Sequence, residues 1–242
     1  MNETLAQHIG AGPVVVTGAG GSVAPGVALR FLKLGAKVAL IAREGSEERV
    51  ADALSGSREL AAADRLLILG ADLAAPKSAQ AAVDAVTRQW GAPSILLNIA
   101  GGFAAKGALS AGLTGLEHQL DINLRTAVNA TLAALPGMIE RGSGAVVAIG
   151  AAAARTPSPG RTAYAAAKAA LAAYFRSLAA EVSTQGVTVS VLHPMGAIDT
   201  STNRAAMPQA DTSKWISQDA MGDAIEFLVS SGTVRELELS GA

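Results

Sequence analysis

Seven short runs of β-branched and aliphatic residues recur along the chain with helix-length stretches between them, and this alternation limits the fold more than any other feature. The runs are "PVVVT" from residue 13, "KVALIA" from 37, "RLLIL" from 65, "SILLN" from 94, "AVVAI" from 145, "VTVSVL" from 187 and "VRELEL" from 234. Most are apolar throughout, as strands buried on both faces of a parallel sheet require. Right-handed crossovers then give a doubly wound α/β architecture of seven strands flanked by helices. Helical patterning is expected near 23–34, 46–62, 76–90, 113–140, 160–182 and 217–230. Between the sixth strand and the last helix, "PMGAIDTSTNRAAMPQADTSKW" is polar and broken by Pro194 and Pro208. With no clear period over about 194–216, it reads as a lid or substrate loop.

A chain of 242 residues is long enough for one sizeable core and short for two, so a single domain over 1–242 is expected. Half of the residues are apolar, 16% are charged and the net charge is −1, a balance that argues against a disordered or nucleic-acid-coating protein. The start, "MNETLAQHIG", lacks the basic-then-apolar order of a signal peptide, and no apolar run approaches membrane-spanning length. A soluble cytoplasmic protein with a small-molecule substrate is expected. The chain has no Cys, which excludes disulfides, thiolate nucleophiles and Cys-bound zinc. His8, His118 and His193 are too scattered to suggest a metal site, so metal catalysis is not expected.

In an open parallel sheet, ligands bind beyond the carboxyl ends of the strands, and the turn after the first strand is the usual pyrophosphate site. Here that turn lies in "VVVTGAGGSVAPGVALRFL". Gly18, Gly20 and Gly21 let backbone approach an anion. Ser22 is expected to cap the next helix, whose first turn tolerates Pro25, and the positive end of that helix then faces the phosphates. Alone, such glycines make only a tight turn; placed in the first βα unit they indicate a Rossmann-type dinucleotide fold. Ala42 stands where a carboxylate would grip the ribose of NAD, and Arg43 after it can pair with a 2′-phosphate or remain a solvated surface arginine. NADP(H) is therefore the favoured cofactor, with NAD(H) as the alternative. Asp72, in "GADLA", serves either an adenine amino group or a helix cap.

Tyr164 and Lys168 are four apart in a helical stretch, so their side chains leave one face. A phenol titrates near 10, and a neighbouring ammonium lowers that value, so the pair is expected to be poised near neutral pH. Tyr164 would then act as general acid when hydride reaches a carbonyl, and as base in reverse.

With these pieces in place, the chain resembles the short-chain dehydrogenase/reductase family over essentially its whole length. The resemblance rests on "TGAGGSVA" from 17, "DL" from 72, "NIAG" from 98, Asn123 in "DINLRTAV", "YAAAK" from 164, "HPMGAIDT" from 193 and the final "SGTVRELELSGA". It implies catalytic roles for Tyr164, Lys168 and Asn123, Lys168 also binding the nicotinamide ribose and Asn123 helping to hold a water beside it. The cofactor-binding positions it implies are Gly18, Gly20, Gly21, Ser22, Val23, Arg43, Asp72, Leu73, Asn98, Ala100, Gly101, Tyr164, Lys168, Pro194 and Thr200. Asn98 would stabilise the central sheet and Thr200 would meet the nicotinamide carboxamide. The resemblance also implies a homodimer or homotetramer, through helices around 113–140 and 160–182.

The chain departs from the family at Ala151, thirteen residues before Tyr164, where a Ser hydroxyl normally holds the substrate oxygen. Losing such a donor costs about 3 kcal/mol of transition-state stabilisation by analogy with an oxyanion hole. Thr156, Ser158 and Thr162 are the nearby hydroxyls offered as replacements. Ser22 and Ala24 stand where the family has glycines, and Met195 follows Pro194 in place of Gly. "NIAGGF", "GAAAA" and "IDTSTNRAAMPQADTSKW" locally resemble dihydropteridine reductase, a short-chain reductase that works without the Ser and generally prefers NADH. That likeness implies Asn203, Arg204, Met207 and Trp215 around the substrate. Two functions stay open: an NADP(H)-dependent oxidoreductase reducing a carbonyl or conjugated C=N or C=O group, or a dinucleotide-binding sensor or assembly protein that has lost turnover. A methyltransferase is disfavoured by Ala-Arg after the second strand, and a P-loop NTPase is excluded by the lack of Gly-Lys-Ser/Thr.

Overall fold

The structure is a computed structural model that describes residues 2–55 and 64–241. Its strands are β1 (Val14–Thr17), β2 (Val38–Ala42), β3 (Leu66–Gly70), β4 (Ile95–Asn98), β5 (Gly144–Ile149), β6 (Val187–Pro194) and β7 (Glu236–Leu239). They form one parallel sheet in the order β3-β2-β1-β4-β5-β6-β7. β1 pairs Val14 with Val38 on one side and with Ile95 on the other. The crossovers leave β1 in opposite directions, which opens a crevice beyond its carboxyl end.

Successive side chains on a strand point to opposite faces. Val14 and Val16 accordingly join a core with Phe31, Leu32, Ile225 and Leu228, while Val15 joins a second with Val86, Met138, Leu171 and Phe175. Helices α2 (Ala24–Lys33), α3 (Glu47–Ser55) and α9 (Gln218–Ser231) bury residues in the first core. Helices α4 (Pro76–Trp90), α6 (Thr126–Arg141) and α7 (Thr162–Glu181) cover the other. Two-sided cover is what the uninterrupted apolar strands require.

The structure adds helical detail in three places. An unanticipated helix, α1 (Glu3–Ala11), precedes β1; Asn2 Oδ1 accepts from Leu5 N at 2.9 Å to cap it, and Leu5 and His8 are buried. The stretch expected as one helix over 113–140 is α5 (Ala108–Leu120), a wider π-type turn (Asp121–Arg125) and then α6. Such wide turns break the regular helical ladder, often at functional sites, and this one carries Asn123. The segment 194–216 is partly ordered into α8 (Ser201–Ala206) and a 3₁₀ turn (Thr212–Lys214), α8 being capped by Thr200. Of the helix expected over 46–62, residues 47–55 are helical and 56–62 lie outside the described residues.

Candidate active site

Two adjoining clefts run along the carboxyl edge of the sheet and share Ile99, Gly101 and Gly102. The first, of about 530 Å³, is lined by Gly18, Gly20, Gly21, Ser22 and Val23 after β1, Arg43 after β2, Asp72 and Leu73 after β3, and Ala100 and Gly101 after β4. Gly18 has a φ of +75°, and an added Cβ would come within 2.7 Å of Ala100 backbone atoms, so a side chain is excluded there twice over. Buried Thr17 ties the two strand ends together: its Oγ1 accepts from the Ile99 and Ala100 amides, both at 3.1 Å.

Ser22 does not cap α2. The residue before the helix is Val23, and the Ser22 hydroxyl instead lies 3.2 Å from that of Thr202 in α8, joining the glycine turn to the 194–216 segment. Ala24 is fully buried in the first core, so its methyl is accommodated where α2 meets the sheet. Asp72 forms a local turn, its Oδ1 accepting from Ala74 N at 3.0 Å, whereas the residue capping α4 is Ala75. Ser46 and Arg49, not anticipated from the sequence, line the same cleft beside Arg43, and a Cβ at Gly20 would lie 2.9 Å from Arg49 Nη2.

The second cleft, of about 450 Å³, holds Tyr164, Lys168, Asn123, Ala151 and Pro194, with Phe103, Met195, Ile198 and Met207 as its larger apolar wall. Tyr164 and Lys168 leave α7 on one face, and Lys168 Nζ sits 6.0 Å from the Tyr164 ring centroid. Lys168 is 5% exposed, and its ammonium donates to Ile149 O at 2.8 Å. Asn123 is fully buried. Its Nδ2 donates to Gly102 O at 3.0 Å and Gln119 Oε1 at 3.1 Å, while Oδ1 accepts from Gly102 N at 3.2 Å. Asn123 therefore clamps the backbone between the two clefts, and Gln119 holds it in place.

The electrostatics differ from the expected pair. Burial pushes the Tyr164 phenol above its ordinary value, and the cation that opposes this is Arg161, the residue before α7. Burial also lowers Lys168, to about 8. Phe103 links these groups: its ring meets Tyr164 edge-on at 5.1 Å between centroids and lies 5.3 Å beneath the Arg161 guanidinium. Arg161 and Phe103 were not singled out as site residues: Arg161 belongs to no motif, and Phe103, although it closes "NIAGGF", enters the cleft from the loop after β4.

Other expected residues lie elsewhere. Asn98 is buried beneath the clefts and donates to Thr131 Oγ1 at 2.9 Å, a bond from the end of β4 to α6. Thr200 is buried and accepts from Asn203 N at 3.1 Å; its hydroxyl proton is left to donate. Thr156, Ser158 and Thr162 do not line the second cleft, and Thr156 Oγ1 donates to Ala152 O at 3.2 Å. None supplies the hydroxyl missing at Ala151. Asn203 and Met207 reach the cleft, whereas Trp215 does not and Arg204 is paired with Asp199 at 2.6 and 2.7 Å.

The family model for short chain dehydrogenases matches residues 13–211, which include every lining residue of both clefts. The chain belongs to the short-chain dehydrogenase family. Among similar proteins are a short chain dehydrogenase of Pseudocercospora fijiensis, 34% identical over 201 residues that are 79% of this chain and 63% of that relative. A 2,3-dihydroxy-2,3-dihydro-p-cumate dehydrogenase of Pseudomonas putida is 33% identical over 181 residues, 74% of this short-chain dehydrogenase and 68% of the relative. Its fold is also that of a short chain oxidoreductase from Pseudomonas aeruginosa PAO1, solved with NADPH and described as containing an atypical catalytic center. That likeness has a TM-score of 0.84 at 24% identity and covers 95% of this chain and 96% of the other. Among the described residues of this short-chain dehydrogenase, no helix is long and apolar enough to cross a membrane.

Proposed function

We propose that this short-chain dehydrogenase is an NADP(H)-dependent reductase of a carbonyl or conjugated C=N or C=O group, with Tyr164 as its acid and base. The observation that carries the reading is the position of Tyr164 and Lys168 in a cleft contiguous with the glycine turn. The residues present fit a dinucleotide. The first cleft offers a side-chain-free cradle at Gly18 and Gly21 for the pyrophosphate, and Asp72 and Leu73 for the adenine end. Ala42 leaves no acid for the ribose, while Arg43, Ser46 and Arg49 present two guanidinium groups and a hydroxyl suited to a 2′-phosphate. The NADPH carried by the Pseudomonas aeruginosa oxidoreductase of the same fold supports that preference.

When bound, the nicotinamide supplies or receives the hydride. Tyr164 gives its phenolic proton to the substrate oxygen or nitrogen and regains it in the reverse direction. Lys168, as an ammonium, stabilises negative charge that develops on the phenol. Asn123 fixes the Gly101–Gly102 backbone, which would help to hold the nicotinamide end, and an added Cβ at Gly101 would come within 2.6 Å of Asn123 Oδ1. Residues 194–216 act as the substrate loop, with Met195, Ile198 and Met207 excluding water from the reacting groups.

The test mixes purified protein with NADPH and follows loss of reduced-nicotinamide absorbance against a panel of carbonyls, quinones and dihydropterins, with binding checked by nicotinamide fluorescence. Consumption with at least one member is expected. Tight binding without turnover on any member would favour the sensor reading, for which the missing hydroxyl at Ala151 is the motivating feature.

A further inference from the structure

Arg161 lines the second cleft, is exposed, and holds its guanidinium 5.3 Å above the Phe103 ring. Among the described residues no carboxylate forms an ion pair with it. The cleft wall contains two cationic side chains, Arg161 and Lys168, and no Asp or Glu. Lys168 is committed to Ile149 O deep in the cleft, which leaves Arg161, among the described residues of the cleft, as the cation open to a ligand. Stacking on an aromatic face pre-orients a planar guanidinium while leaving its N–H fork available for two parallel hydrogen bonds to a carboxylate. Arg161 also precedes Tyr164 by three residues, and Phe103 touches both, so an anion at Arg161 and a carbonyl at Tyr164 fit within one small molecule.

We propose that Arg161 is the recognition site for a substrate carboxylate, so that the cleft takes acidic carbonyl compounds in preference to neutral ones. This rests on the reading of the Tyr164 cleft as the reductase site and names its substrate class. Phe103, Met195 and Met207 supply the apolar wall for the part of the molecule between the acid and the carbonyl. Among the described residues no Asp or Glu lines the wall beside its two positive charges, which favours an anion over a neutral analogue of the same shape.

The experiment measures equilibrium binding of two matched pairs to the full chain: benzoylformate against its methyl ester, and 4-formylbenzoate against its methyl ester. It is run on the protein alone and with NADP⁺, which prevents turnover. In at least one pair the acid is expected to bind about tenfold or more tightly than the ester, with the gap narrowing as salt is raised. In Arg161→Ala the acid-to-ester ratio falls to near one, and Arg161→Lys keeps part of it. The ratio cancels any change that losing Arg161 makes to Tyr164. Equal binding of acid and ester in both pairs, or a preference that survives Arg161→Ala, overturns the proposal. Failure of the reductase reading looks different: no NADPH consumption with any of the four compounds while the binding preference is intact.

Discussion

Lys168 donates its ammonium to the carbonyl of Ile149 at 2.8 Å, so the buried charge of the candidate active site is anchored to the end of β5 and not to the phenol it accompanies. One hydrogen bond to a neutral carbonyl offsets only part of the cost of burying the charge, and the ammonium is held well below its ordinary value as a result.

A pH dependence follows with a definite sign. In the unfolded chain Lys168 keeps its proton to about 10.5, whereas in the folded protein it is lowered to about 8. Between these values the unfolded state binds more protons, so stability rises with pH across that window. Tyr164, raised by burial, opposes this only above pH ~10. Denaturant unfolding of the cofactor-free protein is expected to give increasing stability from pH 8 towards 10, and Lys168→Met should remove that slope. In turnover, carbonyl reduction should decline above about pH 8 as the ammonium is lost.

Arg43→Ala should weaken NADPH by about tenfold to a hundredfold while changing NADH much less, the range expected for loss of a charge-assisted hydrogen bond. Fluorescence titration with both nucleotides measures the ratio. Equal losses would remove Arg43 from the account of cofactor choice.

Ala151→Ser restores a hydroxyl at a buried position on the cleft wall. If a substrate oxygen sits between this position and Tyr164, kcat for neutral carbonyls should rise by about tenfold or more with little change in KM, as for a donor that acts on developing charge. Steady-state kinetics on one neutral carbonyl, compared with the parent chain, reads the effect directly. An unchanged kcat would mean that the substrate is held without a donor at this point.

Gln119 is 3% exposed, and its Oε1 accepts from Asn123. Gln119→Leu removes that acceptor while Gly102 O and the Gln119 carbonyl remain as partners for Asn123. A loss of about 1 kcal/mol is expected, equivalent to a fall of roughly 2–4 °C in Tm for a chain of this size. Thermal unfolding by circular dichroism tests it.

Much of this architecture was legible because parallel strands covered on both faces leave long apolar signatures, as in "KVALIA" and "AVVAI". The glycine turn and the Tyr164–Lys168 spacing were legible for a similar reason: their chemistry depends on local spacing. What escaped depends on contacts between distant residues. Helix α1 buries only Leu5 and His8, too few to set a period. The wide turn at Asp121–Arg125 accompanies the Asn123–Gly102 clamp, which joins positions 21 residues apart. Ser22 was assigned a local cap because the hydroxyl it meets belongs to Thr202, 180 residues on. The direction of the Tyr164 shift was misread because it follows from burial, which outweighs the opposing Arg161, and spacing alone encodes neither.

The central claim, that Tyr164 moves the proton, is tested most directly by Tyr164→Phe. Its ring keeps the contact with Phe103, so nicotinamide fluorescence should report NADPH binding close to that of the parent. NADPH consumption with any active carbonyl should fall by about a hundredfold to ten-thousandfold. A variant that binds NADPH and turns over at the parental rate would contradict the account.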